Sequence, residues 1–203
     1  MKAVVAQMPA HWLADRMNSE IAQWDEMWEG VLHMPPAPNR FHQNFELRLA
    51  VYLFVHWVPR TGGRVHQQVN LTPPADEAHW TLNFRIPDLV LLSPDRFHIE
   101  RNEYMAGAPL VVVEIKSPGD ETYDKLPFYA ALGVPEVWVF DRDTKAVELR
   151  TLTAGPAYTL LDPDADGWVR SPASGVQFRP VPGNKVRVRI GEDDATGEDL
   201  PEA

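Results

Sequence analysis

The chain has 203 residues, 44% of them apolar, which suits one globular domain with a substantial core and leaves little room for two. It contains no cysteine, so disulfides, thiolate–zinc sites and thiol catalysis are excluded. A net charge of −10, from 29 acids against 19 bases, argues against a general nucleic-acid binder, although an acidic body can still present a local basic groove. No run of about eighteen apolar residues occurs, and no charged segment leads into a long apolar stretch near Met1, so neither a membrane span nor a signal peptide is expected. The expected location is the cytoplasm.

In chain order, Ser19 is placed to cap a short helix reaching Trp28, with Ile21, Trp24 and Trp28 on one packing face. Gly30 to Met34 reads as a short strand, closed by Pro35-Pro36-Ala37-Pro38, which cannot continue a ladder. Asn39 then caps a helix running to about Trp57, with Phe41, Phe45, Leu49, Tyr52 and Leu53 as its buried stripe. His42 and Glu46 are four apart on that helix and share a face. Pro59 and Thr61-Gly62-Gly63 end it; Arg64 to Leu71 reads as a strand, and Thr72 to Glu77 as a loop.

The next two segments are apolar strands with acids in them. Phe84 to Leu92 carries Asp88, and Leu110 to Lys116 ends in Glu114 and Lys116. Strand side chains alternate, so Glu114 and Lys116 project from one face, a costly placement at the margin of a core unless the charges find partners. If the strands pair, Asp88 and Glu114 reach a common hard cation such as Mg²⁺, and Lys116 could orient a water or stabilise an oxyanion. Without a metal, the same residues would be an ion-paired cluster with Arg85. Between the strands, Ser93 to Pro109 is a polar connection long enough for a short helix or a mobile flap.

Asp124 is placed to cap a helix with Pro127 in its first turn and Gly133 at its end, leading into the strand Glu136 to Phe140. Strand, helix and strand in this order make a crossover and a parallel pair. Lys125 lies at the start of that helix, near the strand ends. Val147 to Leu152 and Tyr158 to Leu161 read as further strands with one solvated face. Lys185 to Ile190 alternates base and aliphatic, which fits either a phosphate-facing ribbon or, the favoured reading, a protected edge strand. The stretch from Gly191 to Ala203 holds Glu192, Asp193, Asp194, Glu198, Asp199 and Glu202 without a base. Residues 1–190 are therefore expected to form one domain, and 191–203 a solvated, disordered tail.

Pro87-Asp88 followed by Glu114-Ile115-Lys116 resembles the signature of the PD-(D/E)XK, or restriction-endonuclease-like, nuclease superfamily. The order of Met34-Pro35-Pro36, His42, the Pro-Asp strand, Ser117-Pro118, Lys125 to Tyr129 and Gly133 to Asp141 resembles more closely a bacterial restriction-endonuclease family within it. The resemblance implies an α/β fold with a mixed central sheet flanked by helices, acting as a Mg²⁺-dependent DNA endonuclease, with Mn²⁺ as an alternative ion. It also implies that Asp88, Glu114 and the backbone carbonyl of Ile115 hold the metal. Glu46 would be an added ligand from the first core helix, the alternative being a surface acid paired with His42 or Arg48; Lys116 would position the attacking water and Lys125 would steady phosphate. Many members of this family lack a lysine at the position of Lys116 and rely on one in the following helix; this chain has both. Such nucleases are frequently homodimers. The rival reading is a catalytically silent nuclease fold that binds DNA or another protein. Tyr129 and Trp138 read as core, and the histidines, lacking a zinc-like spacing, as structural or exposed.

Overall fold

The structure, a computed structural model, describes residues 3–5, 9–17, 19, 22–153, 155 and 157–201. Its first half contains β1 (Ala3–Val5), α1 (Ala10–Met17), β2 (Glu26–Trp28), β3 (Val31–Met34), α2 (Arg40–Tyr52), α3 (Val58–Thr61), β4 (Arg64–Gln67), β5 (Asn70–Thr72) and β6 (Leu89–Leu92). There follow β7 (Tyr104–Ala106), β8 (Val111–Lys116), α4 (Leu126–Leu132), β9 (Glu136–Asp141), β10 (Val147–Leu152) and β11 (Tyr158–Leu160). Last come β12 (Val169–Arg170), β13 (Val176–Val181), β14 (Lys185–Ile190) and β15 (Asp193–Leu200).

A six-stranded mixed sheet, in the order β11-β10-β9-β8-β6-β4, organises these elements. Its β8–β9 pair is parallel, as a crossover through α4 requires, and β6 runs antiparallel to β8 with Leu89 opposite Val113. Helices cover both faces, which is why β8 reads as an unbroken apolar run. Val111, Val113 and Ile115 pack with Phe45, Leu49, Leu53 and Trp57 on one face, while Val112 packs with Phe128, Tyr129 and Val134 on the other. Each such fully buried side chain contributes about 1.5–3 kcal/mol. Alternation along one strand thus fills two cores.

Helix α2 starts where expected: the Asn39 side chain accepts from the backbone N–H groups of Phe41 and His42 at 3.1 and 3.0 Å. A π-helical turn over Leu53–Trp57 carries it into α3, which stops at left-handed Gly62, φ 69°. Phe45, Leu49, Tyr52 and Leu53 are buried, but Phe41, in the first turn, is 54% exposed, with the Arg40 guanidinium 4.1 Å from its ring centroid. Gly63 permits a close approach: a Cβ there would lie 2.4 Å from the Trp57 ring and 2.5 Å from the Leu92 carbonyl. No helix among the described residues is long and apolar enough to cross a membrane.

Several local expectations are corrected. The stretch before Trp28 forms no helix reaching that residue; Glu26–Trp28 is a strand turned back onto β3 by Glu29 and Gly30, both at positive φ. Tertiary partners override the helical spacing there, since Arg16 holds Asp25 at 2.7 Å and Glu26 accepts the Ile86 N–H at 2.8 Å. Ile21 lies outside the described residues. The Asp88 strand is shorter than expected, because Phe84 and Arg85 bridge to Met27 and Leu71 and Pro87 has no N–H to give; Asp88 immediately precedes β6. Asp124 sits in a 3-10 turn over Thr122–Lys125, and α4 begins without a side-chain cap.

The acidic C-terminal stretch is ordered. Residues 193–200 form β15, so β14 lies inside a four-stranded sheet, β12-β13-β14-β15, and is not an edge. Charge explains the pairing that composition alone obscured: Arg187 meets Asp199 at 2.9 Å and Arg189 meets Asp194 at 2.8 Å. Leu200 and Thr196 are buried, and the Tyr52 hydroxyl donates to the Thr196 carbonyl at 2.9 Å.

Candidate active site

The antiparallel register of β6 and β8 sets Asp88 beside the end of β8, where its carboxylate accepts the Ile115 N–H at 2.5 Å. This bond takes the place of a ladder contact and fixes the side chain. The other Asp88 oxygen lies 2.8 Å from Nε2 of His42, whose Nδ1 is buried without a partner. Burial opposes the charged form of His42, but the bond to Asp88 and the nearby charges of Asp88, Glu46 and Glu114 outweigh it and raise its pKa.

Glu46, one turn further along α2, is buried and accepts from the side-chain amides of Gln68 at 3.2 Å and Gln67 at 3.3 Å. Burial, followed by repulsion from Asp88, pushes its carboxyl up to about 7, against the pull of His42 and the two amides. One ligand atom each from His42, Glu46 and Asp88 lie within 4.8 Å of one another.

Glu114 projects from β8 into a tight polar knot. Tyr129 of α4 donates to one oxygen at 2.5 Å, and the Lys125 ammonium lies 3.3 Å away. Lys125 is also held by Glu26 at 2.7 Å and donates to the Ile86 carbonyl at 3.2 Å. Burial raises the Glu114 carboxyl to about 8, Lys125 opposes this, and Asp88 and Glu26 reinforce it. Lys125 is desolvated, yet the Glu114 and Glu26 carboxylates keep it firmly charged, its pKa raised. The knot is richer in acids than in bases.

Lys116 goes elsewhere. Its ammonium lies 3.3 Å from the Tyr123 hydroxyl and 3.6 Å from Asp141, the residue opposite it on β9. A cavity of about 120 Å³ is lined by Glu26, His42, Asp88, Glu114, Ile115 and Lys125, with Trp24, Pro35 and Pro36 forming apolar wall, and Lys116 is not on it. Alternation puts Glu114 and Lys116 on one face in principle, but β8 ends at Lys116 and the long side chain follows its neighbours on β9 and in the 3-10 turn. Glu46 stands behind His42 and Asp88 rather than on the cavity wall.

The donor set fits a divalent cation. Clustered carboxylates with one imidazole suit Mg²⁺ or, with the nitrogen included, Mn²⁺, and the excess negative charge favours binding. Sequence reasoning read His42 and Tyr129 as structural, and passed over Glu26 and Gln68. The shared face of His42 and Glu46 was the available signal for the first; Glu26 and Tyr129 are joined to the site only by tertiary contact.

Residues 14–180 match the model of the Uma2 family, described as "Putative restriction endonuclease". No curated protein matches the chain. Among solved structures, the crystal structure of a "putative nuclease belonging to DUF820" from Anabaena variabilis ATCC 29413 is similar, with a TM-score of 0.56 at 20% sequence identity. The match covers 73% of this chain and 81% of that one. Likeness at this identity concerns the fold, and it agrees with the mixed central sheet and flanking helices expected from the sequence.

Proposed function

Because the chain belongs to the Uma2 restriction-endonuclease family, we propose that it is a divalent-metal-dependent nuclease that hydrolyses DNA phosphodiester bonds at the cavity lined by Asp88, Glu114 and Lys125. The observation that carries this reading is the convergence of those three side chains from the residue before β6, from β8 and from the 3-10 turn before α4, each held by its own polar contacts. Asp88 and Glu114, with the Ile115 main chain and with Glu46 and His42 alongside, would hold Mg²⁺ or Mn²⁺. Such an ion supplies an acidified water and neutralises charge on phosphate.

The chain's own groups do the positioning. The Ile115 N–H orients Asp88, and the Tyr129 hydroxyl orients Glu114. Lys125, fixed by Glu26 and the Ile86 carbonyl, sets a permanent positive charge where negative charge develops on the phosphoryl oxygens. In this reading Lys125 takes the lysine role and Lys116 none. Two copies would pair through the outward residues Leu47 and Val51 of α2 and Phe54 of the π-helical turn that follows it, all exposed.

One observation favours the silent alternative: both Glu114 oxygens already have partners, as in a purely structural knot. The test is incubation of supercoiled plasmid and of single-stranded circular DNA with Mg²⁺, Mn²⁺ or EDTA, alongside Glu114→Ala. Metal-dependent cleavage that the substitution removes supports the nuclease; DNA affinity without cleavage under either metal supports the silent module.

A further inference from the structure

We propose that the substrate of this site is single-stranded DNA, gripped by stacking one unpaired base on Trp24; the inference rests on the nuclease reading and narrows its substrate. Trp24 lines the same cavity as Asp88, Glu114 and Lys125, beside Pro35, Pro36 and Ile86. A nucleobase fits this lining, presenting a π-face to the indole against the apolar proline and isoleucine side chains.

The charge of the site points the same way. Glu26, Asp88, Glu114, Asp120 and Glu121 line the cavity, and Lys125 is the single lysine or arginine among its described lining residues. On a chain of net charge −10, such a site gains little from the phosphate contacts that dominate duplex binding. Affinity must then come from the base. In a duplex the base is stacked and paired, and extruding it costs energy that a single strand does not spend. A base seated against Trp24 would hold its adjoining phosphate over the carboxylates and Lys125.

The test is fluorescence-anisotropy binding of a labelled oligonucleotide, single-stranded or annealed to its complement, to the full chain in Ca²⁺ at several salt concentrations. Trp24→Ala and Trp24→Phe are compared with the parent after thermal melting confirms that they fold. The single strand should bind at least tenfold more tightly than the duplex, with a shallow salt dependence. Trp24→Ala should weaken it by about tenfold or more and Trp24→Phe by much less, as expected of base–aromatic stacking. A strand carrying 2-aminopurine should also lose fluorescence on binding the parent protein, a readout that does not depend on any variant folding. Equal affinity for duplex, or no loss in Trp24→Ala together with unquenched 2-aminopurine, overturns the inference. The two readings fail separately. Trp24-dependent binding of single strands without cleavage removes the nuclease and leaves the stacking site, whereas metal-dependent duplex cleavage indifferent to Trp24 does the reverse.

Discussion

Two lysines nine positions apart in sequence meet opposite fates, and the difference is one of neighbours. Lys116 stands at the last position of β8, where Asp141 and Tyr123 draw it sideways, while Lys125 is buried against Glu26 and Glu114. Lys125→Ala should therefore lower metal-dependent cleavage by about a hundredfold or more, the scale of losing one preorganised electrostatic partner, and Lys116→Ala should stay within about threefold. Plasmid nicking rates compare them; the opposite ranking would return the catalytic role to Lys116. Glu46 gives a pH prediction. Its carboxyl binds a proton more tightly in the fold, about 7, than in the unfolded chain, near 4.5. In that window the folded state holds more protons, so its contribution to stability is lost as pH rises from about 4.5 to 7, by up to about 3 kcal/mol. Urea unfolding in EDTA at pH 5 and pH 8 should show this decline, and Glu46→Gln should lessen it, leaving the part owed to Glu114, whose carboxyl is also raised. An unchanged pH slope in the variant would mean that Glu46 is not the titrating group.

At the scale of elements, β15 illustrates what composition hides. Its acids suggest a solvated tail, yet they pair with Arg187 and Arg189, while Thr196 and Leu200 bury against the body. The ion pairs are partly exposed and individually worth at most about 1 kcal/mol, so burial and the strand ladder hold the element. Deleting residues from Gly191 onward should lower the melting temperature and expose β14 as an unprotected edge, read by thermal denaturation and by higher-mass species in size-exclusion chromatography. An unaltered melting temperature would mean that β15 contributes nothing. Elements with strong local signals were legible: the Asn39 cap, the β8 run, Gly133 with φ 84° and the parallel β8–β9 pair all lie where the sequence puts them. The expected helix before Trp28 failed because its side-chain spacing competes with buried polar partners that sequence does not display.

For the whole molecule, the fold brings residues from β2, α2, the residue before β6, β8 and the 3-10 turn before α4 to one cavity, and the charge collected there has a thermodynamic consequence. A divalent ion that binds only the folded chain should raise its melting temperature, by about 5–10 °C at a hundredfold excess over Kd. Asp88→Ala should abolish most of the rise; an undiminished rise would take Asp88 out of the site. Family and mixed-sheet architecture were determined by the sequence itself. Apolar runs, caps and turn residues act within a few positions of themselves, and strand alternation with antiparallel pairing follows from local geometry. Only the tertiary structure decided which lysine meets the acids, that His42, Glu26 and Tyr129 join them, and that Trp24 walls the cavity. Those outcomes turn on side-chain contacts between elements distant in sequence, where burial makes an unmatched charge or donor costly and so selects one partner from several that spacing alone allows.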